Sequence, residues 1–306
     1  MAKRYAGAGS IGRHSLGYPC SEIVSPKIVK VRVQRALSSS GLGDIDYALN
    51  PYIGCYHACV YCYAREFVSM KRIARYWGEI VVVKTNIADV LRDEVGRHKR
   101  GIVGIGTITD AYQPVESEFQ ITRQCVETLL SAGFAVTIQT KSDLILRDLD
   151  VLTSRPSLVD VGFTITTLDS SIARLIEPRA PSPQKRVAAL ERIASAGIKT
   201  WVFLGPIIPG YNDDLKSISE VIEVAAATGS VLYYDKLRVK RFMLQNPELR
   251  NWVENARSYP WKKLFKTIEI LCQKRGVVCI YSGDMIKSLV LRAQHRKLDS
   301  YSKPRN

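Results

Sequence analysis

Between Asn50 and Arg65 the chain reads NPYIGCYHACVYCYAR, which places Cys55, Cys59 and Cys62 at C-x3-C-x2-C spacing among aromatic residues. Three thiolates within eight residues form a metal-ligating set. A structural zinc ion normally takes four protein ligands in a closed tetrahedron. His57 sits between two of the cysteines and is badly placed to complete such a shell, which leaves Cys20 as the remaining fourth-ligand candidate. A 4Fe-4S cluster held by three thiolates follows a different logic, because one iron has no protein ligand and stays open to chelation by a small molecule. Chance clustering of buried cysteines is the third alternative. It fits poorly, since only four other cysteines occupy the rest of the chain.

Those four show no second cluster motif. Cys125 falls within a helical pattern, as a small buried hydrophobe would, and Cys272 and Cys279 flank an apolar Val-Val pair and are expected to pack together. An odd total of seven cysteines argues for reduced thiols with a local purpose over a disulfide framework. The N-terminal residues lack the apolar stretch of a secretory signal, and no run of about 18 apolar residues occurs. A cytoplasmic protein without membrane association is the expectation.

The elements that must position these cysteines emerge from about residue 100. Apolar, β-branched runs at 102–107, 134–140, 158–166, 198–205 and 230–236 read as strands. Helical patterns lie between them. Ser117 is the expected cap of a helix carrying Ile121, Val126, Leu129 and Leu130 and closed by Gly133; Ser182, with Pro183 at the first helical position, opens another that Gly197 closes. Strands lacking polar alternation, separated by helices, imply a parallel sheet covered by helices, either a barrel or a doubly wound sheet. No glycine-rich phosphate loop follows a strand, which disfavours a nucleotide-binding Rossmann domain, although the Gly104–Thr107 stretch GIGT is a strand-end bend that lets backbone approach a ligand. Ligands of such sheets sit beyond the carboxyl ends of the strands. Polar residues gather there: Thr107, Thr109 and Asp110, then Gln139, Thr140 and Lys141, then Thr164, Thr166 and Thr167.

The formal charge of +15 is carried by the flanks. Residues 1–36 hold seven Lys/Arg against one acid, and residues 236–306 hold seventeen against five. Such segregation points to a basic surface facing a polyanion. In Asn251 to Lys266 aromatics interleave with the cations, but Trp252, Leu264 and Phe265 fit the apolar face of a helix better than stacking on bases. The terminal KLDSYSKPRN reads equally well as a solvated tail.

The cysteine motif with Tyr61 ahead of Cys62, followed by repeated β/α units, resembles the radical S-adenosylmethionine (SAM) superfamily. More narrowly, GTITDAYQPVE (106–116), TKSDLILRDLDVL (140–152), ITTLD (165–169), EPRAPSP (177–183) and PIIPGYND (206–213) join NPYIGCYHACVYCYAR in resembling the branch related to spore photoproduct lyase. The motifs occur in order between about residues 47 and 236.

That resemblance implies an α/β fold, a partial (β/α)6 TIM-like barrel of parallel strands, with the cluster in the loop after a first strand near Asn50 to Ile53. It implies three regions: a basic N-terminal extension over 1–46, the barrel over 47–236, and a basic, mainly helical region over 237–306. It implies a 4Fe-4S cluster on Cys55, Cys59 and Cys62, SAM chelating the open iron, and an electron donor of flavodoxin or ferredoxin type. Reductive cleavage of SAM would give methionine and a 5'-deoxyadenosyl radical that takes a hydrogen from the substrate. By motif position, Tyr61, Thr109, Asp110, Lys141 and Thr166 would line the SAM site, and Tyr61 and Tyr63 would serve in SAM contact and radical relay, ring packing of Tyr63 against the cluster being the alternative. The lyase's hydrogen-donor cysteine matches Thr107 here. A threonine hydroxyl holds its hydrogen too strongly to replace a thiol, so spore photoproduct repair is not expected. The leading expectation is a radical SAM enzyme acting on DNA or RNA held by the basic flanks. A radical SAM enzyme for a protein or small metabolite is the alternative, and a metal-stabilised, non-enzymatic nucleic-acid module is a third.

Overall fold

A computed structural model describes residues 25–283; Cys20 and the terminal KLDSYSKPRN lie outside the described residues. In chain order the strands are β1 (Lys27–Val31), β2 (Ser38–Ser39), β3 (Tyr47–Leu49), β4 (Tyr52–Ile53), β5 (Ile80–Lys84), β6 (Ile102–Ile105), β7 (Ala135–Thr140), β8 (Val159–Thr164), β9 (Lys199–Ile207), β10 (Val231–Lys236) and β11 (Cys279–Tyr281). The main sheet has the order β11-β10-β9-β8-β7-β6-β3-β2. From β3 to β11 every neighbouring pair is parallel, and only β2 runs antiparallel at the edge. The order never reverses. A doubly wound sheet requires a switch point where it does, so the winding is that of a barrel. Because β2 and β11 are opposite edges of the sheet, the barrel is a partial one.

The five strands expected from residue 100 onward form within one or two residues of their expected starts. The opening of the barrel differs. Its first strand is Tyr47–Leu49, while Tyr52–Ile53, nearer the cysteines, pairs antiparallel with β5 in a separate three-stranded sheet completed by β1. This small sheet draws Lys27–Val31 out of the basic N-terminal stretch and sets it beside Ile80–Lys84.

Register explains the layers. Val136, Ile138, Val161, Phe163, Val202, Leu204, Leu232 and Tyr234 share the outer face and are buried in one core against the helices. The inner face carries Thr137, Gln139, Asp160, Thr164, Trp201, Phe203 and Tyr233. Alternation is thus present after all: an open barrel leaves its inner face half wet, and polar residues occupy it. Asp160 Oδ1 accepts from Thr137 Oγ1 at 2.5 Å and from Trp201 Nε1 at 2.9 Å. Gly162 lets the Trp201 ring lie across the sheet, since a Cβ there would fall 2.1 Å from the indole.

Helix ends follow local chemistry. Ser182 accepts from Lys185 N ahead of Pro183–Ser195, as expected, and Gly197 at φ +78° lies just past the end. Ser117 does not cap the helix before Gly133. A short helix, Glu116–Phe119, breaks at Gln120 (φ +50°), and the main helix starts at Ile121. Its first amides, Thr122 N and Arg123 N, donate to the Glu116 carboxylate at 3.0 and 3.3 Å. A longer acidic side chain reaches across the break where a serine could not, and Ser117 instead donates to Pro114 O. Trp252, Leu264 and Phe265 belong to the apolar packing of the C-terminal helices, as the helical reading required.

Candidate active site

At the carboxyl ends of β3, β6, β7 and β8 one cleft gathers Cys55, His57, Cys59, Cys62, Tyr63, Trp77, Thr107, Thr109, Asp110, Gln139, Thr140, Lys141 and Thr164. The cysteine loop and the strand-end polar residues therefore share one space, as the placement rule for parallel sheets demands.

The loop is braced from two sides. Gln113, fully buried, accepts from Tyr56 N at 2.8 Å and donates to Gly54 O at 3.2 Å and Thr109 Oγ1 at 3.0 Å. Thr109 Oγ1 in turn donates to Gly54 O at 2.6 Å. From the other side Val60 N donates to Ile176 O at 2.9 Å and Arg179 N to His57 O at 3.3 Å. Asn50 ties the end of the first strand to the GIGT bend, donating to Thr107 Oγ1 and accepting from Ile108 N, both at 3.0 Å. The bend requires Gly106 at φ +76°, where a Cβ would press on Thr109 O and Ala111 N. Burial pushes all three metal-free thiols up, Cys59 to about 12 even with the Lys141 charge opposing it. Bare, they are thiols; a metal is what makes them thiolates.

Asp110 is a hub. Its Oδ1 accepts from Tyr112 N at 2.9 Å and Thr140 Oγ1 at 2.7 Å, and its Oδ2 accepts from Lys141 N at 2.8 Å and lies 3.3 Å from His57 Nδ1. Burial alone would raise its pKa, but His57 and these donors hold the carboxyl down at about 2. Asp110 is thus an anion that ties the β6, β7 and cysteine loops together. Thr140 then accepts from Ser142 N at 2.9 Å, which fixes the turn carrying Lys141.

Lys141 reaches over the Tyr61 ring, with Nζ 5.7 Å from its centroid and 3.9 Å from Glu177 Oε1. Burial favours the neutral amine, but the charge of Cys59 once it is a thiolate, and that of the Glu177 carboxylate, outweigh it and raise the lysine above its ordinary value. Tyr61 donates its hydroxyl to Glu177 Oε1, and Arg186 Nη1 lies 2.5 Å from Oε2. Arg186 also donates to Thr164 O at 3.1 Å and Pro181 O at 2.8 Å. Glu177 and Arg186 are both buried, so this pair is a fixed charge dipole behind the cysteine loop.

Tyr63 stands apart from Tyr61. It is 45% exposed at the cleft mouth, donates to Thr107 O at 2.5 Å, and meets Phe67 edge-on. Thr164 lines the cleft, whereas Thr166 is buried with its hydroxyl unpartnered and its carbonyl accepting from Asn212. Cys125 and Cys272 are fully buried in the core, and Cys279 packs against the same cluster. Glu177, Arg186, Gln113 and Asn50 had no role in the sequence reading. For Glu177, Gln113 and Asn50 the signal was present in EPRAPSP, DAYQPVE and NPYIGC, but a motif does not tell which of its side chains turns inward; Arg186 lies outside these motifs.

The chain belongs to the Radical SAM superfamily, whose family model matches residues 49–222. Members of this superfamily use a 4Fe-4S cluster and SAM. The chain is 32% identical over 234 residues to an uncharacterized protein of Methanocaldococcus jannaschii, covering 76% of this chain and 84% of that one. It is 24% identical over 174 residues to a radical SAM Nalpha-GlyT isomerase of Pseudomonas phage M6, covering 56% of this chain but 35% of the phage protein. In structure it is similar to spore photoproduct lyase complexed with dinucleoside spore photoproduct, with a TM-score of 0.61 at 15% identity over 83% of this chain and 82% of that one. The last likeness is one of fold. No helix among the described residues is long and apolar enough to cross a membrane.

The side chains fit the superfamily's cofactors. Three soft thiols on one loop open onto a cleft that also holds a half-buried cation, Lys141, and polar groups without protein partners, Trp77 Nε1 and His57 Nε2. Among the described residues no three His, Cys, Asp or Glu side chains converge to hold a single ion.

Proposed function

We propose that this protein is a cytoplasmic radical SAM enzyme whose substrate is a nucleic acid, with Cys55, Cys59 and Cys62 as cluster ligands. The observation that carries the chemistry is the shared cleft: three thiols of one loop face the strand-end residues Thr109, Asp110, Thr140 and Lys141. Bound there, the cluster and SAM supply a 5'-deoxyadenosyl radical by one-electron cleavage of a carbon-sulfur bond.

The chain's own residues bind and orient. Lys141, held cationic, offers its ammonium to the SAM carboxylate. The Tyr61 ring, fixed by Glu177, forms the floor beneath that ammonium. Asp110 and Thr109 are positioning residues: their polar atoms are engaged by neighbours, and they set the relative placement of the cysteine loop and the Lys141 turn. Thr166, buried outside the cleft lining with its carbonyl held by Asn212, is a positioning residue on that side. Tyr63, at the mouth, is placed between cleft and solvent, where a relay residue would stand. Thr107 is fixed by Asn50 and Tyr63 and presents no thiol, so the reaction is a modification or rearrangement with no hydrogen donation from this position.

The basic flanks support a polyanionic substrate. The test is anaerobic reconstitution followed by SAM and dithionite, with 5'-deoxyadenosine and methionine quantified first alone and then with DNA, RNA and a protein digest. Product formation stimulated by DNA or RNA supports the full reading. Stimulation by the digest alone would reject the nucleic-acid half, and no SAM cleavage at all would reject both.

A further inference from the structure

Three aromatic side chains of the barrel's inner face stand outside its apolar cores. Trp201, Phe203 and Tyr233 are partly exposed, and none belongs to the apolar clusters formed by the described residues. Two glycines make room for them. A Cβ at Gly162 would fall 2.1 Å from the Trp201 indole, and one at Gly205 would fall 2.5 Å from the Phe203 ring. In each case three ring atoms lie within 3.0 Å of that point, so each ring lies across the backbone of a glycine. The indole is also held by its neighbours: Nε1 donates to Asp160 Oδ1 at 2.9 Å, and Tyr233 meets the ring edge-on at 5.5 Å.

This aromatic floor begins where the cleft ends. Gln139 and Thr164 line the cleft, and in the sheet Gln139 is level with Gly162 and Thr164 with Phe203. Gln139 Nε2 donates to Thr164 Oγ1 at 3.0 Å, which ties the two together at the boundary. A space floored by aromatic rings and edged by a carboxamide and a hydroxyl fits a planar ring with polar atoms on its rim. Stacking supplies affinity, and a carboxamide both donates to and accepts from the edge of a base. We propose that Trp201 and Phe203 form a stacking floor for one unpaired nucleobase of the substrate, with Gln139 and Thr164 at its polar edge. The inference rests on the nucleic-acid reading and deepens it. A base reaches the inside of the barrel only after leaving its stack, so the strand is engaged single or with one nucleotide extruded.

The experiment uses reconstituted holoenzyme without reductant, as wild type, Trp201→Leu and Trp201→Phe. Two single-stranded DNA probes of equal length are compared, one of mixed sequence and one whose nucleotides are all abasic, so that charge is kept and the bases are removed. Affinity is read by fluorescence anisotropy, and tryptophan emission is followed in the same titrations. The wild type should bind the base-bearing strand about tenfold or more tightly than the abasic one, with quenching of tryptophan emission. Trp201→Leu should lose most of that preference while its affinity for the abasic strand and its iron content stay those of the wild type. Trp201→Phe keeps a ring and should keep the preference, but the quenching contributed by position 201 should vanish. An undiminished preference in Trp201→Leu overturns the inference. So does undiminished quenching in Trp201→Phe, a measurement that decides the matter even if the leucine variant folds poorly. Wild-type protein that binds both strands equally removes the stacking floor and leaves the nucleic-acid reading standing, whereas wild-type protein that binds neither strand, nor RNA of the same length, removes the nucleic-acid reading itself.

Discussion

The hydroxyl of Tyr61, one residue ahead of Cys62, donates to the carboxylate of Glu177, which Arg186 neutralises from the far side. This contact joins residues 116 positions apart and pins the cysteine loop to the sheet through a buried ion pair. Glu177→Ala leaves the Arg186 guanidinium buried without its anion. Breaking one half of a buried pair typically costs about 3–5 kcal/mol, so urea midpoints should drop sharply. Tyr61→Phe removes one hydrogen bond and is expected to cost only ~1 kcal/mol. Equal, small shifts for both variants would show that the pair is not a structural anchor.

Lys141→Ala should weaken SAM binding by about tenfold or more, the scale of one charge-assisted hydrogen bond, while iron content stays that of the wild type. Lys141→Arg should restore part of the affinity. Calorimetry on the holoenzyme provides the measurement, and unaltered SAM affinity in the alanine variant would remove Lys141 from the ligand site.

Cys59→Ala takes away one of three thiols in a set with no spare. Reconstituted protein should lose most of its iron and the broad visible absorbance of the cluster, whereas Cys125→Ala, in the apolar core, should keep both. Full iron in the Cys59 variant contradicts the ligand assignment.

Gly162→Ala tests the inner face of the barrel. The new methyl would overlap the Trp201 ring, and overpacking of this kind costs about 1–3 kcal/mol. Thermal unfolding should report a lower midpoint, and Trp201 fluorescence should shift as the ring moves off the sheet. Gly96→Ala, where nothing lies within 4 Å, is the control expected to change neither.

Lys262, Lys263, Lys266 and Lys274 are exposed on the helix Trp261–Lys274. Replacing all four with Gln should lower oligonucleotide affinity mainly at low salt and flatten the dependence of log affinity on log salt by roughly 0.7–0.9 for each phosphate no longer neutralised. A slope identical to the wild type would place the nucleic acid elsewhere.

Much of the barrel was legible in the chain because its signals are local. β-branched runs, serine and glycine at helix ends, and a cysteine triplet are each set by a few neighbouring residues, and the rule that ligands sit beyond strand ends then gathers Thr109, Asp110, Thr140 and Lys141 into one cleft. Tertiary structure decided what depends on contacts distant in sequence. The pairing of Lys27–Val31 with Ile80–Lys84 is one case, and the hydrogen bond from Tyr52, 64 positions away, to the Glu116 carboxylate that caps the next helix is another. Whether Asp110 faces a ligand or ties loops together depends on His57 from the cysteine loop and Thr140 and Lys141 from the end of β7. Glu177 becomes the partner of Tyr61 only when the β8 loop folds behind the cysteine loop. A sequence determines which groups are available to bond; the packed chain determines which are already taken, because a buried polar group must find its partner wherever the fold brings one.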